Sequence, residues 1–158
     1  MLQRIQTVYL LISMILMGLL IFIPSMTIDT TTAAYQLKFQ GLMEIAEGGN
    51  KLVETTIFLS ILTAIIPLIS LITINLYKRR ILQIRLSIFN ILLMIGYYAL
   101  FALTCYTMCN QFVDNGNNGS MAITLPVVFP FISAILTYLA VRAIGKDEVL
   151  VKAADRLR

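Results

Sequence analysis

Four runs along the chain, Thr7 to Ile23, Thr55 to Tyr77, Leu86 to Cys109 and Met121 to Val141, contain no Asp, Glu, Lys, Arg or His. A helix rises about 1.5 Å per residue and the hydrocarbon core of a bilayer is about 30 Å thick, so one crossing needs roughly 20 apolar residues. Each run meets or approaches that length, and no other stretch does. In lipid no water is present to satisfy the backbone, which leaves helices and closed barrels as the spanning forms. Runs this long and this continuously apolar do not fit barrel strands. The pattern predicts an all-α membrane protein, a four-transmembrane-helix bundle forming a single integral membrane domain over residues 1–158.

Between the runs the pattern changes character. The first outside loop, residues 24–54, is too long for a bare turn. Within it Tyr35, Leu37 and Phe39 alternate with Gln36, Lys38 and Gln40, and Thr27 to Thr32 is rich in β-branched residues, so a small β-strand pair is predicted. Gly41 to Ala46 follows, and Gly48, Gly49 and Asn50 read as a flexible separator before the second span. The second outside loop, residues 110–120, holds the turn-forming Asp114 to Gly119, with Gln111 to Val113 and Ala122 to Thr124 as short extensions on either side. On the opposite face the connection Lys78 to Arg85 is short, which makes spans two and three antiparallel neighbours. In the tail, residues 142–158, Gly145 is expected to end the fourth helix. Asp147 then caps a short cytoplasmic C-terminal helix carrying Val149, Leu150, Ala153, Ala154 and Leu157 on one side.

Composition agrees with lipid as the solvent. The 158 residues are 59% hydrophobic and 13% charged, against about a quarter charged in soluble domains. The net charge of +4 does not point to nucleic acid, because the cations sit beside apolar spans and are not interleaved with exposed aromatics. Arg4 precedes span one. Lys78, Arg79, Arg80 and Arg85 lie between spans two and three, and Arg142, Lys146, Lys152, Arg156 and Arg158 follow span four. Only Lys38 and Lys51 fall in the other loops. By the positive-inside rule both termini are expected in the cytoplasm. Span one is read as a retained helix and not a cleaved signal peptide, because its apolar core exceeds the usual 7 to 15 residues and the small residues Ala33 and Ala34 lie well beyond it.

The two ends carry a family resemblance. The opening Gln3 to Leu11, Gln-Arg-Ile-Gln-Thr-Val-Tyr-Leu-Leu, and the closing Lys146 to Arg158 resemble a family of small four-span Gram-negative bacterial membrane proteins known as a domain of unknown function. The resemblance implies a multi-pass protein of the bacterial inner membrane and brings no catalytic residues. A looser architectural likeness is to four-span proteins of the claudin type, whose long first outside loop forms a small sheet. The Trp and paired outside Cys of that family are absent here, so its roles do not transfer.

Candidate chemistry is sparse. No ionisable residue lies inside a span, where charge is costly and usually functional. There is no His and there are two Cys. No catalytic, cofactor-binding or metal-binding residue is therefore assigned and no cofactor is expected. Cys105 and Cys109, one helical turn apart, read as packing residues and not as a disulfide, with a redox role as the alternative. Asn75 and Asn90 must find hydrogen-bond partners and are expected to approach each other or a shared neighbour. Pro67 is expected to kink span two, Pro126 to open span four and Pro130 to bend its first turns. Of Tyr97 and Tyr98, at least one is expected to face the bundle and donate to a helix carbonyl. Glu44, Glu47 and Glu54 read as a solvated face. The expectation is a non-enzymatic accessory or scaffolding subunit of a membrane or envelope complex. Its expected partners are the lipid bilayer and a protein met through the tail or the outside loop. The alternative is an oligomeric channel or small-solute transporter.

Overall fold

The computed structural model describes residues 2–30, 33–46, 49–77, 79–111 and 120–156. Four long helices carry a small antiparallel sheet at one end: α1 (Leu2–Leu19), β1 (Met26–Asp29), β2 (Ala34–Lys38), β3 (Gly41–Ala46), β4 (Gly49–Glu54), α2 (Ile57–Asn75), α3 (Arg80–Cys109), β5 (Ser120–Ile123) and α4 (Phe129–Arg156). α1 packs on α2 and α4, and α3 packs on the same two, so each helix has two neighbours. As expected from the short Lys78 to Arg85 connection, α2 and α3 pack against one another.

Three stretches are long and apolar enough to cross a membrane: Ile57–Asn75, Arg80–Cys109 and Leu125–Val149. The apolar part of α1, Ile5–Leu19, is shorter. α1 begins before the predicted run and stops short of its end, since Ile21 and Phe22 already donate their N–H groups three residues back, to Gly18 and Leu19, in a tightened closing turn. The start of span four is also displaced. Met121 to Ile123 lie in a strand, Leu125–Val128 form a 3-10 turn opened by Pro126, and the α-helix begins only at Phe129. Pro130 occupies the second helical position, where a missing N–H costs nothing.

The buried residues of each helix recur at alternating steps of four and three. On α1 they are Gln6, Leu10, Ser13 and Met17; on α2 Leu59, Thr63, Ile66, Ser70 and Thr73. On α3 the sequence is Gln83, Ser87, Asn90, Met94, Tyr97 and Phe101, and on α4 Pro130, Ser133, Thr137, Ala140 and Ile144. A 3.5-residue repeat is the geometry of knobs-into-holes packing between nearly parallel helix axes. The opposite faces are apolar and exposed, with Ile65, Leu68, Leu92, Ile95, Phe131 and Ile135 among them.

The sheet has the order β4-β3-β2-β1-β5, every neighbour antiparallel. The predicted pair is β1 and β2, joined in the register Met26↔Leu37 to Asp29↔Ala34. The sheet is larger than that pair because Gly41 serves a hairpin turn and Gly49 and Asn50, read as part of a separator, begin a strand. Gly41 sits opposite Lys38 at a two-residue turn with φ +135, and Gly49 and Asn50 pair with Ala46 and Ile45 as the first residues of β4. From the second outside loop Ser120–Ile123 adds to β1 as the fifth strand. Gln111, expected to be an extension flanking the turn, instead continues the end of α3 as a wider helical turn, and Phe112 and Val113 lie outside the described residues.

Met26, Ile28, Leu37 and Leu42 point inward and are fully buried against Met17, Leu20, Leu59, Tyr97, Phe101 and Met108. The sheet is thus seated on the C-terminal ends of α1 and α3 and the N-terminal ends of α2 and α4. Hydrogen bonds fix it there. Ser25 N–H donates to Leu37 at 2.9 Å, Thr124 N–H donates to Ser25 at 3.1 Å, and Ser60 Oγ on α2 donates to the Phe39 carbonyl in the β2–β3 turn.

The predicted separate C-terminal helix is absent, because α4 runs unbroken through Gly145 to Arg156. A glycine inside a helix costs only about 1 kcal/mol, and anchors flank it: Ile144 is buried, and Asp147 accepts a hydrogen bond from α1. Gly41 is the glycine with positive φ among the described residues, so Gly145 has no left-handed stop.

Candidate functional site

The interior of the helices is graded from one end to the other. Near the sheet the inward side chains are large and apolar, whereas toward the α2–α3 turn they become Gln6, Ser13, Ser70, Thr73, Gln83, Ser87, Asn90 and Thr137, all buried. α1 and α4 are clasped through these groups. Ser13 Oγ lies 3.2 Å from Thr137 Oγ1, and Ser133 Oγ donates to the Ser13 carbonyl at 3.3 Å. One end further on, Gln6 Nε2 donates to Asp147 Oδ2 at 2.8 Å. Against lipid tails apolar burial gives helices little reason to associate, so such interhelical bonds and close packing carry the association.

Between α2 and α3 the bond is Asn90 Nδ2 to Ser70 Oγ, at 2.8 Å. Asn90 Oδ1 and Ser87 Oγ are buried with no hydrogen-bond partner. The expected approach of Asn75 to Asn90 is not found. Asn75 is exposed and donates back to Leu71 at 3.2 Å, while Asn90 faces inward. The cause is helical phase: Ser70 and Thr73 share the inward stripe of α2 and Asn75 is two residues past it.

Tyr97 and Tyr98 meet the expectation placed on them. Tyr98 Oη donates to the Val127 carbonyl at 2.7 Å and accepts from the Phe131 N–H at 3.0 Å. It thereby satisfies one of the orphan donors at the start of α4 from a neighbouring helix. Tyr97 is buried, stacks on Phe101 and lines a small cavity with Ser25 beneath the sheet. Cys105 and Cys109 are both free thiols, and Cys105 Sγ lies 3.8 Å from Met26 Sδ. Pro67 lies within α2, which continues through it. The Thr63 hydroxyl bonds its own helix at Leu59.

Concave surfaces among the described residues include one at each end of the helices. At the sheet end a cleft of about 300 Å³ lies between α2 and α3, lined by Phe58, Leu100, Leu103, Thr104, Thr107 and the strand exit at Glu54 to Thr56. The Thr56 hydroxyl is buried there without a partner. At the other end a shallower groove of about 420 Å³ is formed by Arg79, Arg80, Ile81, Leu82 and Glu148. The sheet presents a third surface. Lys51 to Glu54 of β4 are all exposed, and Ile45, Leu52 and Val53 place apolar area there, each 44–46% exposed. Of the acidic residues read as a solvated face, Glu54 is exposed, Glu44 is half-buried in β3, and Glu47 lies outside the described residues.

None of these places brings together a nucleophile, a base and an orienting group. Among the described residues no group of three or more His, Cys, Asp or Glu could hold a metal ion. The interior polar stripe was missed in the sequence although its signal was present: Thr63, Ser70 and Thr73, then Ser87 and Asn90, then Ser133 and Thr137, keep the four-three spacing of one helix face.

The chain belongs to the family defined by a domain of unknown function, DUF4293, which matches residues 2–157. No curated protein matches it.

Proposed function

We propose that this is a four-span protein of the bacterial inner membrane, with both termini in the cytoplasm and the five-stranded sheet outside. In this reading it acts as a non-enzymatic accessory or scaffolding subunit. The observation that carries it is the inversion of polarity across the helices: among the described residues hydroxyls and amides face inward, some bonded from helix to helix, and aliphatic and aromatic side chains cover the outer faces. α1 is the fourth crossing in this reading. Its apolar core is short, but Ile5, Val8, Leu11, Ile12, Ile15 and Leu19 cover its outer face, and it packs between two helices that are long enough.

The orientation follows from charge, since Arg79, Arg80, Arg85, Arg142 and Lys146 gather at the end opposite the sheet. At 28 and 30 residues, α4 and α3 run to about 42 and 45 Å, longer than the hydrocarbon is thick, so their basic ends project into water. The graded interior speaks against a pore through one chain. Toward the sheet Thr63 and Ser133 are the last buried polar side chains of α2 and α4, and Met17, Leu59, Met94, Tyr97 and Phe101 close the interior beneath it. What remains to offer a partner is surface: the β4 edge on one side and the projecting end of α4 on the other. Sheet edges recruit partners by strand addition and by apolar contact.

Two measurements test this. Reporter fusions after Arg158 and within residues 24–54 are expected to report opposite sides, and an exported C-terminus defeats the orientation. Affinity purification in mild detergent is expected to recover a stoichiometric membrane partner that is lost on Leu52→Lys/Val53→Lys or on truncation after Gly145. Recovery of the chain alone, together with solute flux in liposomes, would overturn the scaffold reading in favour of a transporter.

A further inference from the structure

We propose that the groove where the α2–α3 turn meets the projecting part of α4 binds the headgroup of an anionic phospholipid. This rests on the membrane reading above, though not on which face is cytoplasmic. The lining is split by chemistry. Arg79 and Arg80 supply two guanidinium groups, and neither is ion-paired among the described residues. Ile81 and Leu82, the next two residues, are 54% and 37% exposed in the same wall. Such adjacency of unpaired cations and bare aliphatic carbon fits an amphiphile: the phosphodiester against the guanidiniums, the first acyl carbons against Ile81 and Leu82.

Charge selects among amphiphiles. Arg85, Arg142 and Lys146 are also exposed at this end. The described carboxylates here are two, Asp147, which accepts from Gln6, and Glu148 in the far wall, against the five cations Arg79, Arg80, Arg85, Arg142 and Lys146. The surroundings are net positive, which favours a headgroup with no compensating ammonium. Guanidinium binds phosphate oxygens in a planar two-bond geometry that a lysine does not reproduce. The volume, about 420 Å³, is a headgroup's scale and not a macromolecule's. Basic pockets between membrane helices at the headgroup level are recognised by this chemistry.

The test uses the full chain, extracted in mild detergent and exposed to an equal mixture of phosphatidylglycerol and phosphatidylcholine of the same chain length, with retained lipid read by native mass spectrometry. Preferential retention of phosphatidylglycerol is expected, falling about tenfold or more in R79Q/R80Q. The charge-matched control R142Q/K146Q removes two cations outside the groove and is expected to lose less than about twofold. Equal losses in the two variants, or no lipid preference in the parent, overturn the proposal; so does displacement of the lipid by millimolar inorganic phosphate, which would assign a soluble anion instead. Circular dichroism of each variant separates lost binding from lost fold, and R79K/R80K, which keeps the charge, is expected to fall between. Sedimentation with alkali-washed membranes is read in parallel. A parent chain that leaves the membrane defeats the underlying reading, whereas one that stays and shows no preference defeats this inference alone.

Discussion

Removing the Ser70 hydroxyl is predicted to destabilise the helices more than removing the Asn90 amide that it serves. Asn90 is buried between α2 and α3, its Nδ2 donating to Ser70 Oγ at 2.8 Å while its Oδ1 has no partner. In Ser70→Ala both ends of the amide are left unsatisfied in a low-dielectric interior. Interhelical hydrogen bonds in membranes average about 0.6 and reach about 1.7 kcal/mol, and an orphaned buried polar group costs about 1–3 kcal/mol. The expected loss is therefore about 1–2 kcal/mol. Asn90→Leu acts differently. It gives up the same bond but also removes the unsatisfied Oδ1, and Ser70 keeps its own acceptor, the Ile66 carbonyl at 3.2 Å. Its expected effect is within about 1 kcal/mol of neutral, of either sign. In the double variant the penalty of Ser70→Ala disappears, giving a coupling energy of about 1–2 kcal/mol. The assay is reversible unfolding in mixed micelles with increasing sodium dodecyl sulfate, followed by far-ultraviolet circular dichroism. An Asn90→Leu variant less stable than Ser70→Ala refutes the reasoning, because it means that the amide contributes more than its visible bond.

Three other perturbations follow from equally local geometry. Gly41→Ala drives a Cβ into the Glu54 carbonyl oxygen at φ +135, and about 2–3 kcal/mol of clash and strain is expected to loosen β3 from β4; proteolysis within residues 41–54 should accelerate while helical dichroism holds. Tyr98→Phe removes the bonds to Val127 and Phe131, each worth about 1 kcal/mol, so the melting temperature in detergent should fall by roughly 4–8 °C at about 2–4 °C per kcal/mol, and an unchanged melt would mean that water replaces the hydroxyl. Ser13→Leu forces two extra heavy atoms into a fully buried site between α1 and α4, at a cost of about 1–3 kcal/mol by overpacking; Ser13→Ala should cost under about 1 kcal/mol, and the order of the two would be reversed if the hydroxyl and not the packing held the pair.

The helices were legible because lipid demands an unbroken apolar run, and such runs can be found one residue at a time. Their ends were less so. Thr124 and Pro126 do not separate a helix from a 3-10 turn, and the bond that Tyr98 makes at that junction joins residues twenty-nine apart in sequence. Gly145 misled because helix termination by glycine requires a left-handed residue, and the side chains that keep it helical, Ile144 and Asp147, act through partners on another helix. Asn75 and Asn90 are both amides toward the same end of the α2–α3 hairpin, but level along the axis does not say which way a side chain faces. Their phases on α2 and α3 differ, and phase was already written in the spacing of Thr63, Ser70 and Thr73.

That inversion changes how a membrane sequence should be weighed. In water an apolar stripe marks the inside of a helix; in lipid the apolar residues are uninformative, since both faces tolerate them, and the few polar positions define the interior. On this criterion the four-three series ending at Asn90 and Thr137 locates the helix contacts more sharply than any hydropathy average. The sheet obeys the opposite rule, because it stands outside the apolar spans. Its burial is decided by Met26, Ile28, Leu37 and Leu42 meeting the ends of the helices, so period-two alternation revealed β2, where one face is covered. It failed for β4, where Lys51 to Glu54 are exposed on both faces. A strand without a covered face has no alternation to read.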